Sequence, residues 1–344
     1  MVEACLCGVP PCTCTSDETC HAAPGDFRGL QLMISDIDCV RTALEPHHEW
    51  RQTATQGRRS LSFRNVNVYF CHCRRWERCT VFDIDAYLAR IGLSGRPSLA
   101  EIHRSHVHAI PFENLDPSCG RAVSLDVDHL AQKIVHGRRG GYCFEQNLLL
   151  KAAYEALGAE VETYLARVRW RAPAGAIRPR AHLVLGVRSE GMTWHADVGF
   201  GGGTPLELMP FGPGGPYEQS GWLFRIVEEG PELVLQRLDG VSWGDVYSFS
   251  KVPSPFVDIE TSNWFVSTNP SSPFVSGLII GRRPSDGSVE ILSDWSGALL
   301  LTRETVEGMT KTAVEPRQVA QILETSFGLP GFQIGSEGRI VRIE

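Results

Sequence analysis

Residues Arg138 to Asn147 read Arg-Arg-Gly-Gly-Tyr-Cys-Phe-Glu-Gln-Asn, and this run constrains the fold more than any other in the chain. The glycine pair permits a sharp backbone turn and leaves a following side chain accessible. Phe144, Leu148, Ala152 and Ala156 recur at a spacing of four, and Gly158 supplies a stop. The spacing predicts a helix with Cys143 on its first turn. A helix start offers unpaired N–H groups and positive dipole potential, and both favour thiolate over thiol. Cys143 is therefore a candidate nucleophile. The competing reading is a buried core cysteine, the commonest fate of a free thiol.

A nucleophilic cysteine needs a histidine to take its proton and a third group to orient that histidine. Two β-rich arms follow, Pro179–Val187 with His182 and Met192–Phe200 with Asp197, around the turn Ser189-Glu190-Gly191. They read as a β-hairpin. A loop centred between Ser189 and Glu190 would set His182 directly opposite Asp197, within hydrogen-bonding reach. A loop centred one residue later would offset them. His195 shares the Asp197 face and is the competing base.

The first eighty residues have a different composition. Nine of the 11 cysteines lie before Thr80, lysine is absent there, and nine arginines balance nine acidic residues. Three readings apply to this stretch. Cys5-x-Cys7, Cys12-x-Cys14, Cys20-His21 and Cys71-His72-Cys73 suggest metal binding, but Cys-x-x-Cys knuckles are missing. A disulfide framework needs an oxidising compartment, and no export signal is visible. The third and favoured reading is a disordered or non-native leader.

The remaining pattern predicts three segments after that extension. From 81 to 160 the signals are helical. Asp83, the Ser98/Glu101 capping box and Asp126 mark helix starts, and Pro111 and Gly137 mark ends. From 161 to 268 the signals are strands, including Leu223–Val227, Leu233–Leu238 and Trp243–Phe249, while Phe211–Gly215 reads as a flexible loop. From 269 to 344 a hairpin across Ser285-Asp286-Gly287 precedes a final helix from Pro316 to Phe327. A net charge of −7 argues against nucleic acid as a partner. No run reaches membrane-spanning length, so a cytoplasmic protein is expected.

From Val81 onward the chain resembles the bacterial arylamine N-acetyltransferases. The resemblance rests on ordered segments: Asp83–Gly92, Ala109–Asp116, Arg139-Gly140-Gly141-Tyr142-Cys143, Arg180-Ala181-His182, Asp197–Gly202 and Asn263–Pro270. It implies an α+β fold with a cysteine-protease-like core: a helical domain, an antiparallel β-barrel-like domain and an α/β lid. It implies a Cys143–His182–Asp197 triad, an ion pair of Glu113 with Arg139 supporting the nucleophile loop, and Phe200 and Phe112 in the acceptor pocket. Ala181 stands where the family commonly has Thr, and Asn269 where many bacterial members have His.

The implied reaction is ping-pong transfer from acetyl-CoA to an arylamine, arylhydrazine or N-hydroxyarylamine, with the Cys143 N–H as one oxyanion donor. Acetyl-CoA enters as co-substrate and no metal is expected. Gly199, Gly201 and Gly202, with Gly203, form either a backbone approach to cofactor phosphates or a hinge after a strand. Other readings keep the same triad for an amide synthase of secondary metabolism or for a cysteine amidase or protease. A non-catalytic metal-binding protein working through its cysteine-rich leader is a third class. Oligomeric state is left open.

Overall fold

The computed structural model describes residues 82–173 and 175–335, and the backbone of 32–33, 51–55, 58–62 and 340–342. The chain separates into two units, Met1–Val81 and Phe82–Glu344. In the first, β1 (Leu32–Met33), β2 (Arg51–Thr55) and β3 (Arg58–Ser62) form an antiparallel sheet in the order β1-β3-β2. The nine cysteines of this unit lie outside the described residues, and with them the metal, disulfide and leader readings.

The second unit opens with capped helices. Asp83 accepts from the Ala86 N–H at 2.9 Å and starts α1 (Ile84–Arg90). Ser98 and Glu101 complete a reciprocal capping box ahead of α2 (Leu99–Ala109). A two-residue strand, β4 (Phe112–Glu113), and the short turn α3 (Leu115–Ser118) follow. Asp126 caps α4 (Val127–Leu130), which widens into a π turn over Ala131–His136. The long helix α5 (Cys143–Ala156) carries Cys143 as its first residue, and Gly158 at φ +88° turns the chain out of it.

Eight strands come next: β5 (Glu160–Val168), β6 (Arg180–Ser189), β7 (Met192–Ala196), β8 (Met209–Pro210), β9 (Gly214–Gln219), β10 (Trp222–Glu229), β11 (Glu232–Asp239) and β12 (Ser242–Ser250). They form one antiparallel sheet, ordered β8-β7-β6-β5-β12-β11-β10-β9, that curls into a nearly closed barrel. Side chains alternate across it. Leu165, Leu183, Leu185 and Val187 face the helices and join their core. Tyr164, Ala166 and Val184 face the other way, into a core with Phe224, Leu235, Tyr247 and Phe249.

Three details differ from the sequence reading. The run up to Ser267 contains a helix, α6 (Phe256–Thr268), where strands were expected. Its β-branched residues read as strand. Phe256, Val257 and Trp264 are exposed while Ile259 and Val266 are buried, so no clean apolar stripe marks it as helical. Phe211 is no part of a loose loop: its ring packs 4.7 Å from Tyr164 and 5.3 Å from Phe249, and Gly214 already begins the edge strand β9. In the β6–β7 hairpin, Leu185 pairs with Ala196 and Ser189 with Met192. The turn is therefore Glu190-Gly191, both at positive φ, and His182 lies two positions out of register with Asp197 rather than opposite it.

After the short turn α7 (Pro273–Ser276), β13 (Ile279–Arg282), β14 (Val289–Ser293), β15 (Leu300–Thr305) and β16 (Gly308–Ala313) build a second sheet, ordered β16-β15-β14-β13-β4. Its last strand comes from the helical segment: Glu113 pairs with Ile280 and Phe112 with Gly281. Helix α8 (Val319–Phe327) ends at Gly328 in the left-handed region, and packs Leu323 and Phe327 with Leu115, Ile280 and Leu292. β17 (Phe332–Ile334) and β18 (Ile340–Arg342) pair at the end. The segments thus share cores and a sheet, and Cys143 sits where helices, barrel and β4 meet.

Candidate active site

Cys143 is buried at the first position of α5, where its backbone N–H has no partner within the helix. Its sulfur lies 3.8 Å from the carbonyl of Ala181, the residue before His182. The His182 Nε2 meets Asp197 Oδ2 at 2.8 Å, which leaves Nδ1 to serve the thiol. Although the hairpin register offsets the two residues, β7 ends at Ala196 and the chain leaves the ladder there, bringing the carboxylate to the ring.

Asp197 is held from several sides. Its Oδ1 accepts from Asn147 Nδ2 at 2.9 Å and from the Gly199 N–H at 2.8 Å. Its own N–H donates to His103 Nε2 at 3.2 Å, so the other His103 nitrogen carries the proton and donates to the Leu206 carbonyl at 3.1 Å. Asn147 lies one turn beyond Cys143. Its Nδ2 also reaches the Leu183 carbonyl at 2.7 Å, and its Oδ1 accepts from the Val198 N–H at 3.0 Å. One side chain thereby ties the cysteine helix to the strand of His182 and the loop of Asp197. A glycine is required at 199, because a Cβ there would stand 2.7 Å from Cys143 Cα.

The electrostatics follow from this arrangement. Burial alone would push His182 down, but the Asp197 charge and hydrogen bond, with smaller contributions from Cys143, raise it to about 10. Burial acts upward on Asp197, yet His182 and the Asn147 hydrogen bond hold it well below the usual carboxylate range. His195, the competing base, is engaged at Nε2 by the Tyr247 hydroxyl at 3.0 Å, and burial pushes it down to about 4. At neutral pH His182 is the charged imidazole of the group and His195 the neutral one.

Phe200 stands edge-on to the His182 ring at 5.2 Å and touches Tyr247 at the same distance. Phe112 is buried on β4, packs 6.2 Å from Phe274 and has Gly201 against its ring. A Cβ on Gly202 would stand 2.5 Å from Ile291, so packing accounts for glycine there. The Asn269 Oδ1 accepts from the Ser271 N–H and hydroxyl and shapes the turn before α7.

Glu113 and Arg139 form a buried ion pair at 2.7 Å, and the Glu113 Oε2 accepts from the Leu115 N–H. The pair belongs to a larger group that the sequence reading missed. Asp116 lies 3.3 Å from Arg139, and Lys133 bridges Asp116 at 2.6 Å and Glu145 at 2.7 Å. Asn147, Lys133 and Glu145 all escaped that reading. Only Asn147 carried a signal, a polar residue four positions after Cys143 on the same helix face. Among the described residues no group of three or more His, Cys, Asp or Glu is placed to hold a metal ion. No helix among them is long and apolar enough to cross a membrane.

A family model described as N-acetyltransferase matches residues 97–331, more than half of the chain. The chain belongs to the arylamine N-acetyltransferase family. It is 40% identical over 211 residues to the arylamine N-acetyltransferase of Mycolicibacterium smegmatis, covering 58% of this chain and 75% of that one. It is 32% identical to the Mycobacterium tuberculosis H37Rv arylamine N-acetyltransferase over 267 residues, covering 75% and 93%. The Mycobacterium marinum arylamine N-acetyltransferase solved in complex with CoA superposes with a TM-score of 0.68 at 35% identity, covering 72% of this chain and 93% of that one. The α+β fold, helices with antiparallel sheets, is that of these arylamine N-acetyltransferases.

Proposed function

We propose that this arylamine N-acetyltransferase moves the acetyl group of acetyl-CoA to arylamines, arylhydrazines or N-hydroxyarylamines through an acetyl-Cys143 thioester. The observation that carries the proposal is the 2.8 Å hydrogen bond of His182 to Asp197, beside Cys143 at the start of α5; the Cys143 sulfur lies 3.8 Å from the carbonyl of Ala181, the residue before His182. In the first half-reaction the Cys143 thiolate attacks the thioester carbonyl of acetyl-CoA. The Cys143 N–H at the helix start faces the developing oxyanion. The tetrahedral intermediate collapses, the bond to the CoA sulfur breaks, and the His182 imidazolium protonates the departing thiolate.

Having given its proton to the CoA sulfur, His182 is now neutral and free to act as base. In the second half-reaction a neutral arylamine attacks the acetyl-cysteine carbonyl, and His182 takes the amine proton. Cys143 leaves as thiolate beside a regenerated imidazolium, so atoms and charge return to the start. Asp197 keeps the ring oriented throughout. Phe200, at the edge of the His182 ring, and Phe112 are assigned to the acceptor's aromatic ring. The backbone N–H groups of Gly201 and Gly202 are the candidate contact for donor phosphates, the Gly199 N–H being taken by Asp197. A cytoplasmic location suits a reaction that needs a reduced Cys143.

Steady-state rates with acetyl-CoA and an arylamine such as 4-aminobenzoate varied together test the order of events. Parallel double-reciprocal lines are expected for the two-step route. Converging lines would show that both substrates must bind before transfer and would contradict a free acetyl-enzyme.

A further inference from the structure

Cys143 is held from below by a second polar group that takes no part in the proton chemistry. Lys133 on the π turn, Arg139 on the loop, Glu113 on β4, Asp116 on α3 and Glu145 on α5 form one buried cluster. It contains two cations and three carboxylates. Arg139 pairs with Glu113 and Asp116, and Lys133 with Asp116 and Glu145, so the cluster holds one carboxylate more than its cations balance.

Glu145 faces the nucleophile loop. Its Oε2 accepts from the Tyr142 N–H at 3.0 Å, the amide just before Cys143, and its Oε1 takes Lys133 Nζ at 2.7 Å. A Cβ on Gly141 would stand 2.9 Å from that carboxylate, which accounts for the second glycine of the pair. The Gly141 carbonyl is fixed in turn by the Glu113 N–H and by Gln146 Nε2. Lys133 and Glu145 are 12 residues apart in sequence, and the π turn brings the ammonium under the start of α5.

We propose that Lys133 and Glu145 are positioning residues for acetyl transfer, a charged clamp that holds the Gly141–Cys143 backbone so that the sulfur meets His182; this rests on the transferase reading above. The bond to the Tyr142 amide is charge-assisted, and such bonds are stronger than neutral ones. Holding that charge is costly. Burial pushes the Glu145 carboxyl up to about 7, against the pull of Lys133 and with the Glu113 charge adding. A carboxyl raised in the folded state costs stability once ionised, so its effect on folding becomes unfavourable as pH rises from 4.5 toward about 7. The carboxylate sits there on Lys133 despite that cost, with its second oxygen on the Tyr142 amide.

The test compares melting temperature at pH 8 with the single-turnover rate of Cys143 acetylation by acetyl-CoA. Glu145→Gln keeps the side-chain shape and leaves two cations against two carboxylates. Its melting temperature is expected to equal or exceed that of the parent, while acetylation slows about tenfold or more through loss of alignment. Lys133→Met is expected to slow acetylation as well, and Lys133→Arg to restore it. Acetylation of Glu145→Gln at the parent rate would overturn the clamp. A joint fall of melting temperature and rate in Glu145→Gln would also overturn it, by showing a structural role. Failure of the parent protein itself to take up acetyl would sink the transferase reading and the clamp together, whereas an acetylated parent with an unaffected Glu145→Gln variant sinks the clamp alone.

Discussion

Two buried polar groups meet at Cys143, and they are built on opposite principles. On the barrel side, His182, Asp197, Asn147 and His103 make a chain in which one anion faces one cation and neutral groups satisfy the rest. On the helix side, Glu113, Asp116, Lys133, Arg139 and Glu145 crowd three carboxylates against two cations. The first group has one member that carries the mobile proton, His182, whose acidity is set by burial against the charge and hydrogen bond of Asp197, with Cys143 adding less. The second group has two carboxylates bound to backbone N–H groups, Glu113 to Leu115 at the start of α3 and Glu145 to Tyr142 on the nucleophile loop. Proton transfer calls for a balanced pair that changes state at low cost. Holding a backbone calls for strong, fixed hydrogen bonds, even at a cost in stability.

The largest effect is expected from Asp197→Asn, which keeps the shape but removes the charge that holds the imidazolium. Single-turnover acetylation should fall by about 10³–10⁴-fold while the fold is retained. A loss below tenfold would remove Asp197 from the mechanism. The contrast on the helix side is Glu113→Gln. It leaves Arg139 facing Asp116 alone, and breaking such a pair costs about 3–5 kcal/mol of stability in chemical denaturation. If Glu113→Gln instead left stability unchanged, Glu113 would not be holding Arg139 as a buried ion pair.

Asn147→Ala sharpens the boundary, since Asn147 belongs to the barrel-side group but sits on the helix. It removes three hydrogen bonds, to Asp197, Leu183 and Val198. A stability loss of about 1–3 kcal/mol is expected together with slower acetylation, because the Asp197 Oδ1 loses a donor. The smallest effect is in the pH dependence of melting. His182 is raised from 6.5 to about 10, so its stabilising contribution is full below pH 6.5 and is lost as pH rises toward 10. The melting temperature of the parent should fall across that window, and His182→Gln should flatten the fall. An identical slope in both proteins would contradict the ion pair.

Local signals carried the helix starts and the cysteine. Asp83, Ser98 with Glu101, and Asp126 cap the helices they were read to cap, since a cap depends only on residues three apart. His182 and Asp197 were readable as partners although the hairpin was placed one residue early. A turn at Glu190-Gly191 shifts the ladder, but the chain leaves it at Asp197 and the offset is recovered. What escaped was non-local. Helix α6 has apolar residues on more than one side and looks like strand. Lys133 and Glu145 meet only because a π turn redirects one toward the other, and no periodicity announces that.

The most direct test is to incubate the protein with acetyl-CoA alone, quench in acid and map the acetyl group by peptide mass spectrometry. The account predicts an acid-stable acetyl on the Cys143 peptide that disappears when an arylamine is added before the quench. An unmodified Cys143 peptide, or an acetyl group that no amine discharges, would contradict it.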